Sequence, residues 1–322
     1  MTSWMFRSAR LGILLLIVLS LAACGQASND ANDNNNGGIS ATPQTSDGMI
    51  TVEDALGTVT LPQTPEKIVT MDFSFTDMVA TLGVQPVGIA DDGDAGLFMD
   101  SVKSALGDYT SVGSRYEPNI ELISTLKPDL IIADVNKHKN ALDQLKAIAP
   151  VLVLDDYTAD YDQMLVNFML VAKALGKEEE GRKRLEQHEA LIGDAKEKLQ
   201  GAKLTVLPAV VNPKGFYAHS NHSYSGSMVK LLGFTDPISD EAAYPQLTLE
   251  QLVEANPQAL FLMPTEEVTI VNEWEKNPLW QELDAVKQGK VYTVERRNWS
   301  LSRGMLGSEK IAEDIVNELG AK

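Results

Sequence analysis

From residue 67 onward, short runs that are apolar throughout alternate with stretches whose apolar positions return every three or four residues. Lys67-Ile68-Val69-Thr70-Met71 reads as a buried strand, and 75–82 as a helix that Gly83 closes. Val87-Gly88-Ile89-Ala90 predicts the next strand. Helical spacing over 120–126 stops at Lys127-Pro128-Asp129, ahead of an apolar strand over 130–133. A helix over 141–148 then leads through Pro150 into a strand over 151–154. Strands without a polar face need cover on both sides, so this alternation predicts parallel sheets packed between helices.

The second half of the chain follows the same plan. A strand is predicted over 204–211, a helix over 227–232 closed by Gly233, and a helix over 249–255 that passes through Asn256-Pro257 into a strand over 259–262. Residues 122–132 and 249–262 each read as an amphipathic helix, a proline stop and a buried strand. Any αβ unit has this appearance, but the matched position within each half points to two lobes of similar build. Between the halves, Met164, Leu165, Phe168, Val171, Ala172 and Leu175 keep helical spacing up to Gly176. A second run over 178–199 sets Leu185, Leu191, Ile192, Ala195 and Leu199 among many charges. About 22 residues at about 1.5 Å each reach about 33 Å, enough to cross a small lobe. Sustained heptads are lacking, which favours a strut over a coiled coil. The predicted class is α/β, with two Rossmann-like αβ lobes joined by a single long helix. The expected boundaries are 49–165 for the N-terminal lobe, 166–200 for the helix and 201–322 for the C-terminal lobe.

The first 48 residues break the pattern. Arg7 and Arg10 precede an apolar run over 11–19, and small residues lead to Cys24, the one cysteine of the chain. A charged start, a short apolar core and a small-residue end mark an export signal, expected over 1–23. The run is too short to span a bilayer, which takes about 20 apolar residues. Residues 24–48, with Asn29-Asp30-Ala31-Asn32-Asp33-Asn34-Asn35-Asn36 at their centre, have little to bury and are expected to form a disordered tether. Formal net charge is −18, and removing a segment that holds Arg7, Arg10 and no acid takes it to −20. So acidic a chain is not a nucleic-acid binder, and any local cluster of arginines on it stands out. Phosphate-loop and nucleophile-elbow motifs are both missing, which argues against an ATPase and a hydrolase of those types.

Leu21-Ala22-Ala23-Cys24 resembles the lipobox of bacterial lipoproteins, which implies that Cys24 is acylated and tethers the protein to the extracytoplasmic face of the cell membrane. No thiol would then remain for disulfides, thiolate metal sites or cysteine catalysis. Further stretches resemble the iron-siderophore substrate-binding lipoproteins of ABC transporters, most of all their ferric-citrate branch. They are Pro65-Glu66-Lys67-Ile68-Val69, Leu82-Gly83-Val84-Gln85-Pro86-Val87-Gly88-Ile89-Ala90, Val112-Gly113-Ser114-Arg115, Leu126-Lys127-Pro128-Asp129-Leu130-Ile131-Ile132, Asn277-Pro278-Leu279-Trp280, Gly289-Lys290-Val291-Tyr292 and Trp299-Ser300 with Ser302-Arg303-Gly304. The resemblance covers 51–319. It implies a class III periplasmic-binding-protein-like fold with a shallow cleft, no enzymatic activity, iron carried as a siderophore complex with no resident cofactor, ABC permease subunits as partners, and a monomer.

A carboxylate-type ferric complex is anionic and already wraps its iron. The cleft then needs planar, permanently charged forks, which arginine supplies better than lysine. Arg115, before the helix at 120, resembles the family residue that contacts siderophore carboxylates. Arg296 and Arg303, after the strand at 291–294, resemble its ligand-binding arginines. Lys137 and His138 follow the strand at 130–133, at the carboxyl edge where αβ sheets bind ligands. Similar proteins often carry arginine at the position of Lys137. Phe73 and Ser74 are expected to line the cleft from the first lobe, and Tyr217 and His219 from the second. Trp299 reads as a cleft wall or as core packing. His219-Ser220-Asn221-His222 offers hydrogen bonds or metal ligands, although a tight zinc site wants three or four. Asp91-Asp92-Gly93-Asp94 reads as a solvated turn. Glu121 and Glu250 open the matched helices. The resemblance implies docking to permease arginines, while complementing the helix dipole would explain them equally well. The rivals for the cargo are haem and a hydroxamate siderophore, with an extracytoplasmic metalloenzyme as a remote alternative.

Overall fold

The computed structural model describes residues 48–201, 203–238 and 241–320. The export signal, Cys24 and nearly all of the expected tether lie outside the described residues. The described residues form one compact unit.

A hairpin opens the described chain, with β1 (Ile50–Asp54) antiparallel to β2 (Gly57–Leu61). Then come β3 (Ile68–Thr70), α1 (Phe73–Thr81), β4 (Gly88–Ile89), α2 (Asp100–Ala105), β5 (Thr110–Ser111), α3 (Ile120–Leu126), β6 (Leu130–Asp134), α4 (Leu142–Lys146) and β7 (Val151–Leu154). The five later strands form a parallel sheet in the order β5-β4-β3-β6-β7. Every residue of β3, β6 and β7 is buried, as expected of strands that lack a polar face.

Two helices follow, α5 (Tyr161–Ala174) and α6 (Glu178–Lys198). Gly176 separates them at φ +64°, a conformation open to glycine at little steric cost, and so turns the chain between the two runs. The boundary expected after residue 165 falls inside α5. The second half comprises β8 (Val206–Asn212), β9 (Gly215–Ala218), α7 (Tyr224–Leu231), β10 (Gln246–Leu247), α8 (Leu249–Ala255), β11 (Ala259–Pro264), α9 (Val271–Trp274), α10 (Asp284–Lys287), β12 (Val291–Thr293) and α11 (Met305–Leu319). Its sheet runs β10-β9-β8-β11-β12. Unlike the first sheet, it is mixed. β8 and β9 form a hairpin, and β10 pairs antiparallel with β9, so only β8, β11 and β12 keep the parallel arrangement.

The matched helices share their caps as well as their sequence pattern. Asn119 accepts from the Leu122 N–H at the start of α3, and Thr248 accepts from the Gln251 N–H at the start of α8. Lys127 and Asn256, at φ +50° and +41°, end the two helices in the left-handed region, each one residue before proline.

One of four hydrophobic clusters among the described residues runs through both halves. Ile68, Phe75, Met78 and Ile132 from the first half join Phe168 and Val171 of α5 and Ile192 of α6. The same cluster continues into Val206, Met228, Phe261, Met305 and Ile311 of the second half.

Candidate functional site

Four strands of the first sheet end at the same place. The chain leaving β3 carries Asp72, that leaving β5 carries Arg115 and Tyr116, that leaving β6 carries Lys137, and that leaving β7 carries Asp156 and Tyr157. This is the carboxyl edge of a parallel sheet, where ligands commonly bind. The second half faces it with Val210 of β8, Tyr217 of β9, His219, Tyr244 and the segment between β12 and α11. That last segment contributes Arg296, Ser300, Leu301 and Arg303. Apart from the fully buried Asp72 and Asp156, these residues line a cleft of about 190 Å³. A groove of about 500 Å³ along β2 and the α4–β7 turn is larger but includes a single cation, Lys146.

Three of the four cleft cations are held by carboxylates that the sequence reading did not place at the site. Arg115 donates from Nε and Nη2 to Asp92 Oδ2, at 2.9 and 2.7 Å, and its backbone N–H reaches Asp92 Oδ1 at 2.8 Å. Its Nη1 lies 3.6 Å from Asp72 Oδ1, and its guanidinium sits 4.5 Å above the Phe73 ring. Lys137 Nζ binds Asp72 Oδ2. Arg303 Nη2 binds Asp156 Oδ2 and lies 3.7 Å from Asp72 Oδ1, while Nη1 donates to the Ser300 carbonyl. Arg296 makes no ion pair with a described carboxylate, and its buried Nε lacks a hydrogen-bond partner among the described residues.

Charge and burial set the titration of this cluster. Burial alone would raise the Asp72 carboxyl, but Lys137, Arg303 and Arg115 together hold it far below the usual carboxylate range. Asp156 goes the other way, because burial and the neighbouring Asp72 charge outweigh the pull of Arg303. Burial, with repulsion from Arg115 and Arg303, lowers Arg296. His219 is pushed down to about 3 by burial and by the arginines Arg303 and Arg296, so it is neutral at physiological pH.

The backbone beneath the cluster is pinned by Asp134 at the end of β6. Its carboxylate accepts from the N–H groups of Asn136, Lys137, Asp156 and Tyr157, which fixes the two loops that present Lys137 and Asp156. Across the mouth, Tyr244 donates to the Tyr157 carbonyl at 3.1 Å and packs edge-on against the His219 ring.

Arg115, Lys137, Arg296, Arg303, Tyr217 and His219 thus share one cleft. Other expected wall residues lie behind it. Trp299 is a correction: it is fully buried, stacks on Phe261 and donates to Asp314 Oδ2, so it packs the core. Phe73 is fully buried beneath Arg115, and Ser74 donates to Asp156 Oδ2 instead of facing the opening. His138 is buried, and its Nδ1 accepts from the Asp134 N–H. Asp92 is a half-buried partner of Arg115, not part of a merely solvated turn. Glu121 and Glu250 are exposed in the first turns of α3 and α8. Among the described residues, no group of three or more His, Cys, Asp or Glu is arranged to hold a metal, and no helix is long and apolar enough to cross a membrane.

The family model for periplasmic binding protein matches residues 68–297. The chain is 41% identical to the Fe(3+)-citrate-binding protein YfmC of Bacillus subtilis, over 97% of this chain and 96% of that one. It is 37% identical to the Fe(3+) dicitrate-binding periplasmic protein FecB of Escherichia coli, over 83% and 89%. Its structure resembles that of Staphylococcus aureus SirA complexed with staphyloferrin B, with a TM-score of 0.75, 26% identity, and 84% and 98% of the two chains covered. Three further Bacillus subtilis relatives, 26–34% identical, are named as lipoproteins. With a family model over most of its folded body and two αβ halves about a cation-lined cleft, the chain belongs to the periplasmic binding protein family, in its class III form, and is a binding protein, not an enzyme.

Proposed function

We propose that this protein captures a carboxylate-type ferric siderophore, ferric citrate in the first instance, and delivers it to an ABC importer at the membrane. The observation that supports this most is the convergence of Arg115, Lys137, Arg296 and Arg303 from both halves on one cleft of an otherwise acidic protein. Guanidinium groups match carboxylate pairs in shape and charge, and each charge-assisted contact is worth about 1.5–3 kcal/mol where water is partly excluded. The names of YfmC and FecB support the choice of ferric citrate. Tyr217, His219 and Tyr244 supply the less charged wall, and neutral His219 offers a hydrogen bond without adding charge. Acylated Cys24 is the anchor in this reading. Exposed Glu121 and Glu250, one on each matched helix, dock against the permease.

Tryptophan fluorescence titration of the mature protein with ferric citrate, a ferric hydroxamate and haem tests the assignment. Trp299 lies in the segment that also carries Ser300, Leu301 and Arg303 of the cleft, so it is placed to report occupancy. Ferric citrate is expected to bind best, and Arg115→Ala or Arg303→Ala to weaken it by more than about tenfold, equivalent to about 1.4 kcal/mol. Unchanged affinity in both variants removes the arginine clamp.

A further inference from the structure

The cleft is less positive than its arginines suggest. Arg115, Lys137, Arg296 and Arg303 bring four positive charges, while Asp72, Asp92 and Asp156 bring three negative ones within ion-pairing distance of three of those cations. Asp72 and Asp156 are fully buried, and each keeps one carboxylate oxygen, Oδ1, without a hydrogen-bond partner among the described residues. Leaving a carboxylate oxygen without a hydrogen bond does nothing for packing, and burying charge is unfavourable unless something needs it there. Asp72 touches cations from both halves, Arg115 and Lys137 from the first and Arg303 from the second. Arg303 is shared between Asp72 and Asp156.

Building on the ferric-carboxylate reading above, we propose that Asp72 and Asp156 set the ligand charge the cleft accepts. Their two charges offset half of the four cationic ones, so that a complex whose iron has neutralised its carboxylates is favoured over a metal-free polycarboxylate of higher charge. The reasoning is electrostatic. Each buried acid lies close to where a bound anion meets Arg303, and its repulsion grows in proportion to the charge of that anion. Iron(III) removes three negative charges from the shell that wraps it. A 1:1 complex of iron(III) with a triply charged citrate is neutral, pays little of this repulsion and still gains hydrogen bonds from the guanidinium edges. A 1:2 complex keeps the charge of free citrate and meets the same repulsion. Free citrate, with three carboxylates, meets the full repulsion of both acids.

Asp156→Asn is the cleanest perturbation. Oδ2 accepts from both Ser74 and Arg303, and an asparagine oxygen there keeps both bonds. The new amide nitrogen falls where Oδ1 has no partner to lose. Wild type, Asp156→Asn and Asp72→Asn are titrated with 1:1 ferric citrate, free citrate and a neutral ferric hydroxamate, at low and high salt. Asp156→Asn is expected to tighten free citrate about tenfold at low salt, to tighten ferric citrate less, to leave the neutral complex unchanged and to steepen the salt dependence for anions. Asp72→Asn should move the ratio of the two citrate affinities in the same direction, even if unpairing Lys137 weakens both. Equal changes for all three ligands, or an unchanged citrate ratio and salt dependence in Asp156→Asn, overturn the charge-setting role while the ferric-citrate reading survives. A wild type that ignores ferric citrate overturns both.

Discussion

The fold raises the Asp77 carboxyl to about 7, and this residue lies where the two halves meet. It sits on α1, fully buried, and faces the start of α11. There its carboxylate accepts from the Gly307 N–H at 3.4 Å and from the Leu306 N–H, and Thr81 Oγ1 lies 3.4 Å away. The N-cap of α11 is Gly304, which has no side chain, so Asp77 caps this helix from the opposite half. Burial raises the carboxyl from 3.8 to about 7, against the backbone N–H groups that favour the charge, and Glu309 adds repulsion. A folded value above the unfolded one contributes stability that is complete below about pH 4 and disappears as pH rises through about 7. At about 1.4 kcal/mol per tenfold in proton affinity, wild type forfeits up to about 4 kcal/mol across that window. Asp77→Asn removes the titration and gives up about 1 kcal/mol of hydrogen bonding where NH₂ replaces an oxygen. Urea unfolding at pH 3, below the unfolded value, should therefore find the variant about 1 kcal/mol less stable than wild type. At pH 8.5 it should be more stable by about 1–3 kcal/mol. A constant difference at both pH values would refute the account.

Three further outcomes follow from the geometry. Gly307→Ala would place a Cβ 1.8 Å from the Ser302 carbonyl oxygen, a backbone atom that cannot swing aside. A loss of about 3 kcal/mol or more in urea unfolding is expected, and wild-type stability would disprove the contact. Asp134→Ala removes the acceptor for four backbone N–H groups, so ferric-citrate affinity and stability should fall together. Retention of both would show that the loops hold themselves. The His219 ring should show no titration by NMR between pH 5 and 8, and a midpoint near 6.5 would contradict its burial beside Arg303 and Arg296.

Much of this architecture can be read from apolar runs alone. The helices at 120–126 and 249–255 and the strand at 151–154 fall where their patterns place them, because strong caps and proline stops fix the ends locally. The β9 strand escapes such a reading. Gly215-Phe216-Tyr217-Ala218 is short, and its identity comes from pairing with β8 through a tight turn. At the site, the arginines are conspicuous on an acidic chain, but their partners are not. Asp72, Asp92 and Asp156 are three acids among 45 acidic residues, and only the folded chain brings them beside cations distant in sequence. Asp72 and Asp156 do each follow directly on a buried strand and its next residue, at an edge where a polar side chain is a hint. Trp299 misleads because its neighbours, Arg296 and Arg303, face the cleft while the irregular helical turn between them rotates the indole inward.

The shared interior has a consequence for how the molecule can be divided. Phe168, Val171 and Ile192 on the connecting helices belong to the same cluster as Phe75 on one side and Phe261 on the other. A fragment ending near Gly201 would strip these side chains of their second-half neighbours and leave a continuous oily face in water. Neither piece should fold when expressed alone, and co-expression should restore a soluble pair only if the severed faces find each other before they aggregate.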